Sequence, residues 1–320
     1  MSSSFLHRVA IVPWLAVTAA GGCSSSSDST GATGTGAWSL ASAMNSGRTG
    51  LGVGVIGGII YAVGGFGNGG YLNSLEAYDP ATDVWTEKAP MPTPRAYLGV
   101  CDRSGVLVAV GGTNGTPLAT TEEYHPSTDT WTTGPAMTTA RSSPGAVSSP
   151  IGSCYVVGGT GLGGDISAVE RLDPGANTWI AMPPMPTPRS ATGIVMVHGV
   201  MYVIGGQIGA SVLGTVLAFD LTHQTWSTKP SLRLARQGLA AATDSVYIYA
   251  VGGRTGSSGA ESALEIYNVA SGRWVDGPSM PSPRSALGAV MLAGNVYAIG
   301  GINTSQQGSL ATNEVYVPKP

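Results

Sequence analysis

The chain has 320 residues, 48 of them glycine and 21 proline, and only 10% are charged, against roughly 25% in an average globular protein. A net charge of −3 gives the surface as a whole no general affinity for nucleic acid or anionic lipid. An apolar fraction of 42% suffices for a packed core and excludes a disordered or low-complexity chain.

At the N-terminus His7 and Arg8 precede an apolar run from Val9 to Ala20, and Ala20-Gly21-Gly22 supplies small residues before Cys23. This is the layout of a secretory signal peptide, and its apolar run is too short to span a bilayer. The boundary resembles a bacterial lipoprotein signal, in which the cysteine becomes the lipidated N-terminus, although Ala20 stands where that motif usually has leucine. Residues 1–22 are therefore read as a signal peptide, Cys23 as the lipidation site and residues 23–36 as a flexible Ser/Gly/Thr tether. The protein is expected to be exported and anchored in the bacterial cell envelope, or secreted if Cys23 is not lipidated. A lipid anchor would be its only contact with a membrane. Cys101 and Cys154 could form one disulfide in an oxidising compartment, but they lie in different repeats, at different repeat positions and without metal-ligand spacing, which favours two small buried hydrophobes.

From residue 37 the chain repeats. Gly-Gly closes an apolar run at Gly64-Gly65, Gly111-Gly112, Gly158-Gly159, Gly205-Gly206, Gly252-Gly253 and Gly300-Gly301, in steps of 47 or 48 residues. Trp38, Trp85, Trp131, Trp179, Trp226 and Trp274 keep the same beat. Nine residues before each of the last five tryptophans stands Glu76, Glu122, Glu170, Leu217 or Glu265, with Tyr, Leu or Phe two residues later. Each unit reads as four short strands. In the second these are Tyr97 to Cys101, Val106 to Val110, Thr121 to Tyr124 and Thr130 to Thr133, separated by turn-forming residues. No segment has the apolar period of a helix. Four antiparallel strands per unit make the blade of a β-propeller.

The string MNSGRTGLGVGVIGGIIYAVGGFGNGGYLNSLEAYDPATDVW, Met44 to Trp85, resembles a kelch repeat, and the resemblance runs from Trp38 to Val317. The fold class expected is therefore all-β, a six-bladed kelch propeller over residues 37–317 with a short tail at 318–320. The last unit has its Glu314-x-Tyr316 but no tryptophan after it, whereas Trp38 precedes the first Gly-Gly. The N-terminal segment around Trp38 is expected to complete the last blade and remove an open strand edge.

Met or Leu, three residues, then Arg occurs six times, giving Arg48, Arg95, Arg141, Arg189, Arg236 and Arg284 at one repeat position. In kelch folds the strand that follows lines the central channel. The resemblance thus implies arginines at the channel mouth, where those of adaptor domains bind acidic peptides. The competing reading is structural: each arginine pins its inter-blade loop by bonding carbonyls or the glutamate of its own unit. The loops after each Gly-Gly share that face and offer Tyr71, Asn73, Asn114, Asp165, Gln207, Arg254, Asn303 and Gln306.

His125, His198 and His223 fall in turns on the opposite face, away from any copper site of the kind that kelch oxidases resembling galactose oxidase build. No metal site, cofactor motif or Ser-His-Asp order is present, and the glycine-rich stretches end strands instead of opening helices. The function expected is a non-catalytic binding module for a protein, acidic peptide or glycan. The alternative is an exported sugar-acid isomerase resembling the kelch enzymes that epimerise or mutarotate sialic acid.

Overall fold

The computed structural model describes residues 36–256, 259–303 and 308–319; the signal segment and Cys23 lie outside them. Six four-stranded antiparallel sheets follow one another, and together they form a six-bladed β-propeller. Blade 1 consists of Gly52–Ile56, Ile59–Val63, Leu75–Asp79 and Val84–Lys88, hydrogen-bonded in that order from the inner strand to the outer. Blades 2 to 5 repeat this order. Blade 6 takes three strands from the C-terminus and its outer strand, Ala37–Ala41, from the N-terminus. Trp38 lies opposite Tyr316 there, as Trp85 lies opposite Tyr78 in blade 1.

The hydrophobic core is divided into six clusters, each shared between two neighbouring blades. A four-stranded blade is buried on both faces, so its second strand is apolar throughout: Val106–Val110 and Val200–Ile204 carry buried residues at four successive positions. The inner strands converge on the axis. A Cβ on Gly52 would lie 2.3 Å from Val100, and one on Gly288 would lie 2.1 Å from Val53. Four residues after each repeat arginine the sequence accordingly keeps Gly or Ala, the only side chains this approach admits.

Each tryptophan also latches its blade to the one before. The indole N–H of Trp38 donates to the Pro278 carbonyl at 2.8 Å, that of Trp85 to Ser42 and that of Trp131 to Ala89. Trp179, Trp226 and Trp274 donate to Pro135, Pro183 and Pro230. The aromatic partner across the strand holds the ring in place, with centroids 5.3 Å apart for Trp38 and Tyr316.

Two sequence expectations change. Cys101 and Cys154 are joined by a disulfide with 5.7 Å between Cα atoms, not held as two separate hydrophobes. The first strand of one blade faces the second strand of the next, so a cross-blade pair must occupy different repeat positions. In the chain-entropy account, a crosslink closing 53 residues is worth roughly 4 kcal/mol. The inner strand of blade 2 is Gly99–Arg103, two residues later than the pattern suggests, because Ala96 to Leu98 are drawn into a turn around the axis.

If the latch closes the ring, Trp38→Ala should lower stability by about 3 kcal/mol, the low end for deleting a large aromatic because this ring is partly exposed. Trp38→Phe, which keeps the stack and loses the N–H, should cost about 1 kcal/mol. Urea unfolding followed by tyrosine and tryptophan fluorescence reads both, and equal losses would show that the hydrogen bond contributes nothing.

Candidate functional site

The linker before each inner strand does three things in turn. First, the arginine side chain enters its own blade. Arg48 donates to the carbonyls of Gly64 and Ser74 at 3.2 and 3.1 Å and to the Glu76 carboxylate. Arg95, Arg141, Arg236 and Arg284 likewise pair with Glu122, Glu170, Glu265 and Glu314. All six arginines are at most 2% exposed. The structure therefore places them beneath the mouth and not on it, and it is the structural alternative that describes them. Burial pulls the Arg95 guanidinium down to about 10 against the opposing pull of Glu122, and it stays charged at neutral pH. The carboxylates are held in turn by linker amides, as the N–H groups of Asn45, Thr138 and Arg233 each donate at 2.7 Å.

Second, the arginine carbonyl accepts from the second glycine of the preceding blade. Gly65 donates to Arg95 at 2.9 Å, and the series closes with Gly301 donating to Arg48 at 2.9 Å. A Cβ on Gly64 would lie 2.6 Å from that Arg95 oxygen, and both glycines have positive φ, 57° and 104°. No other residue type fits there.

Third, two residues after the arginine, the chain turns through a left-handed residue at the axis. Gly50, Tyr97, Ser143, Ala191, Gly238 and Ala286 all have φ between 50° and 61°. Their backbones form a closed ring, in which each N–H donates to the carbonyl of the preceding member at 2.6 to 3.1 Å and Gly50 donates to Ala286. One member breaks the symmetry. Tyr97 is a bulky aromatic in a conformation that suits glycine. Its ring lies over Gly50, where a Cβ would be only 2.8 Å from Cδ1.

This ring rims a cavity of about 320 Å³ at the channel mouth. Below the rim lie Leu51, Leu98, Leu239 and Leu287, which make an apolar floor. The polar lining of the cavity comes from Ser143, Thr192, Gln207, Gln237, Arg254 and Ser285, and Arg254 supplies its charge. Gln237 and Arg254 exchange both backbone hydrogen bonds, at 3.0 and 2.9 Å, so their side chains stand next to each other. Gln237 is 7% exposed, and its amide has no hydrogen-bond partner among the described residues. Arg254 is exposed and has no ion pair among them. Burial raises the Tyr97 hydroxyl; Arg254 draws it back down, and Tyr71 pushes it further up. Tyr97, from blade 2, and Arg254, from blade 5, are thus close enough to act on one another across the mouth.

Of the loop residues picked out from sequence, Gln207 and Arg254 line the cavity, and Tyr71 stands close enough to Tyr97 to act on its hydroxyl. Asp165 is used structurally, accepting from Thr160 at 2.8 Å and from the Gly209 amide at 2.7 Å. Asn73, Asn114 and Asn303 do not line the cavity, and Gln306 is outside the described residues. Sequence reasoning missed Tyr97 and Gln237. Both were visible as departures from the repeat: Tyr97 where the other units have Gly, Ser or Ala, and Gln237 where they have Thr, Ala or Ser. The lining contains no Asp, Glu or His, and no group of metal-ligating side chains occurs among the described residues.

The kelch motif matches five stretches, residues 47–92, 94–138, 141–186, 188–233 and 235–281. The chain belongs to the kelch-repeat family. The sixth kelch unit escapes that series because its outer strand lies at the other end of the chain. Over 74 residues this kelch chain is 43% identical to an influenza virus NS1A-binding protein homolog from Mus musculus, covering 23% of the chain and 12% of that protein. Over 84 residues it is 40% identical to Kelch-like ECH-associated protein 1B from Danio rerio, covering 25% and 14% respectively. Its matches thus span about an eighth of the length of these curated relatives. Among solved structures it is similar to YjhT, with a TM-score of 0.76 at 15% identity over 86% of this chain and 96% of that one, a likeness of fold.

The buried pairs can be tested in blade 3. Glu170→Leu should cost about 3–5 kcal/mol by leaving Arg141 buried without a partner, whereas the double change with Arg141→Met should recover most of the loss. Urea midpoints decide it; a double variant no better than the single one would show that the guanidinium is not the source of the cost.

Proposed function

We propose that this chain is a non-catalytic binding module that takes a segment of a partner protein into the channel mouth, with an acidic group of that segment against Arg254 and Gln237. The observation that carries the reading is the pair of Gln237 and Arg254 on the cavity wall: an amide and a guanidinium, side by side and open to the cavity, neither bonded to another side chain among the described residues. Across from them, the Tyr97 ring gives a flat wall against which a side chain can pack. The printed name of the NS1A-binding relatives points to a protein ligand as well.

Acidic and neutral peptide libraries, run beside a glycan array, test this. Arg254→Ala with Gln237→Ala should weaken acidic-peptide binding at least tenfold, as loss of a charge-assisted hydrogen bond implies. Tyr97→Ser, which installs the blade 3 residue type, should weaken it without unfolding the protein. Unchanged binding in both variants would sink the proposal, and binding confined to glycans would replace the peptide.

We also infer that the protein works outside the cytoplasm, anchored through Cys23. The cross-blade disulfide supports an oxidising compartment. Cys23→Ser should move the protein from the membrane fraction to the soluble one; an unaltered distribution would count against the anchor.

A further inference from the structure

We propose that blade 4 binds a small monovalent anion, of chloride or acetate size, between the Arg189 guanidinium and the Thr187 hydroxyl, beside the Leu217 methyls that replace the glutamate of the other five blades. The inference is independent of the mouth and of its ligand.

The linker Met91-Pro92-Thr93-Pro94-Arg95 of blade 2 recurs residue for residue as Met185-Pro186-Thr187-Pro188-Arg189 in blade 4. In blade 2 two donors of this linker converge on one carboxylate. The Arg95 guanidinium is 3.1 Å from Glu122, and the Thr93 hydroxyl donates to it at 2.7 Å. Blade 4 has Leu217 in that register, opposite Val203, as Glu122 is opposite Ala109. Methyl groups therefore replace the acceptor while both donors remain.

What is left at Arg189 is a buried charge without a counter-charge. The side chain is 2% exposed and donates to the carbonyls of Gly205 and Thr215 at 3.3 and 3.1 Å. The Thr187 hydroxyl, whose counterpart Thr93 donates to Glu122, finds no acceptor among the described residues. Carbonyl dipoles bind a guanidinium but do not neutralise it, and a buried ion without a counter-ion is the costly case. Burial alone draws Arg189 down to about 10, so it keeps its proton, and its charge, at neutral pH.

The donor set defines the ligand. One guanidinium and one hydroxyl match a single negative charge. The third donor that blades 1, 3 and 5 aim at their carboxylate, a linker amide, is missing because Pro186 has no N–H. A dianion such as phosphate would be left under-solvated. Access lies on the linker side, where Pro186 is exposed and Thr187 half-buried.

Thermal unfolding of the full chain, with sodium gluconate exchanged for sodium chloride or sodium acetate at constant ionic strength, tests the site. Gluconate serves as the bulky monovalent reference. The wild-type midpoint should rise by about 2–4 °C for each tenfold increase in the small anion above its dissociation constant. Leu217→Glu, which supplies the carboxylate covalently, should start higher and show no rise. Arg189→Met should also show none, and it serves if Leu217→Glu does not fold. Arg254→Ala should keep the wild-type rise, which separates this site from the mouth. Chloride-35 NMR line broadening should follow the same pattern. A rise in acetate alone would identify a carboxylate as the occupant. Equal slopes for wild type and Arg189→Met in both anions would overturn the proposal.

Discussion

The constraint on which the structure depends is closure of the ring: each blade must satisfy polar groups left open by its neighbour. Three circles of hydrogen bonds do this. The outer one is tryptophan to linker carbonyl, the middle one is glycine amide to arginine carbonyl, and the inner one joins the left-handed residues at the axis. An unpaired buried amide or carbonyl costs about as much as a lost hydrogen bond, so these bonds act mainly by leaving nothing open. The same demand explains why the last blade borrows its outer strand from the first residues of the propeller. A three-stranded sixth blade would leave a strand edge unpaired and Pro278 without its indole.

The arginines show how a charge comes to be used in an interior with few charges to spend. In blades 1 and 3 the guanidinium adds a second donor to the Ser74 and Ala168 carbonyls, which already accept from the Gly64 and Gly158 amides, and also bonds the Gly64 and Gly158 carbonyls. The glutamate then neutralises the cation, and the linker amide holds the glutamate. Removing one member strands the rest, which is why the arrangement recurs as a unit and why blade 4, with Leu217, stands apart. The fan of donors that makes Arg suitable for carboxylates on a surface is here spent on the protein's own backbone.

Function is left to what the repeat does not use. At the mouth the sixfold ring supplies a rigid rim and an apolar floor. Binding character comes from Tyr97, Gln237, Arg254 and Gln207, each a residue type that most of the other blades lack at the same repeat position. Tyr97 accepts a strained backbone to place its ring over Gly50, and the two positions are linked: a side chain at residue 50 would displace the ring.

The sequence by itself determined the blade count, the strand order and the closing role of Trp38. Those follow from a period repeated six times, in which every copy reports the same local environment. It also carried the signal for Tyr97 and Gln237, as departures from the repeat at two aligned positions. Tertiary structure alone decided which way each arginine points. A guanidinium before an inner strand can turn out to the channel or back into its blade, and the choice rests on glutamates and carbonyls 16 to 29 residues away. It also decided the Cys101–Cys154 bond, because blades meet first strand to second, a pairing that a one-dimensional repeat does not record.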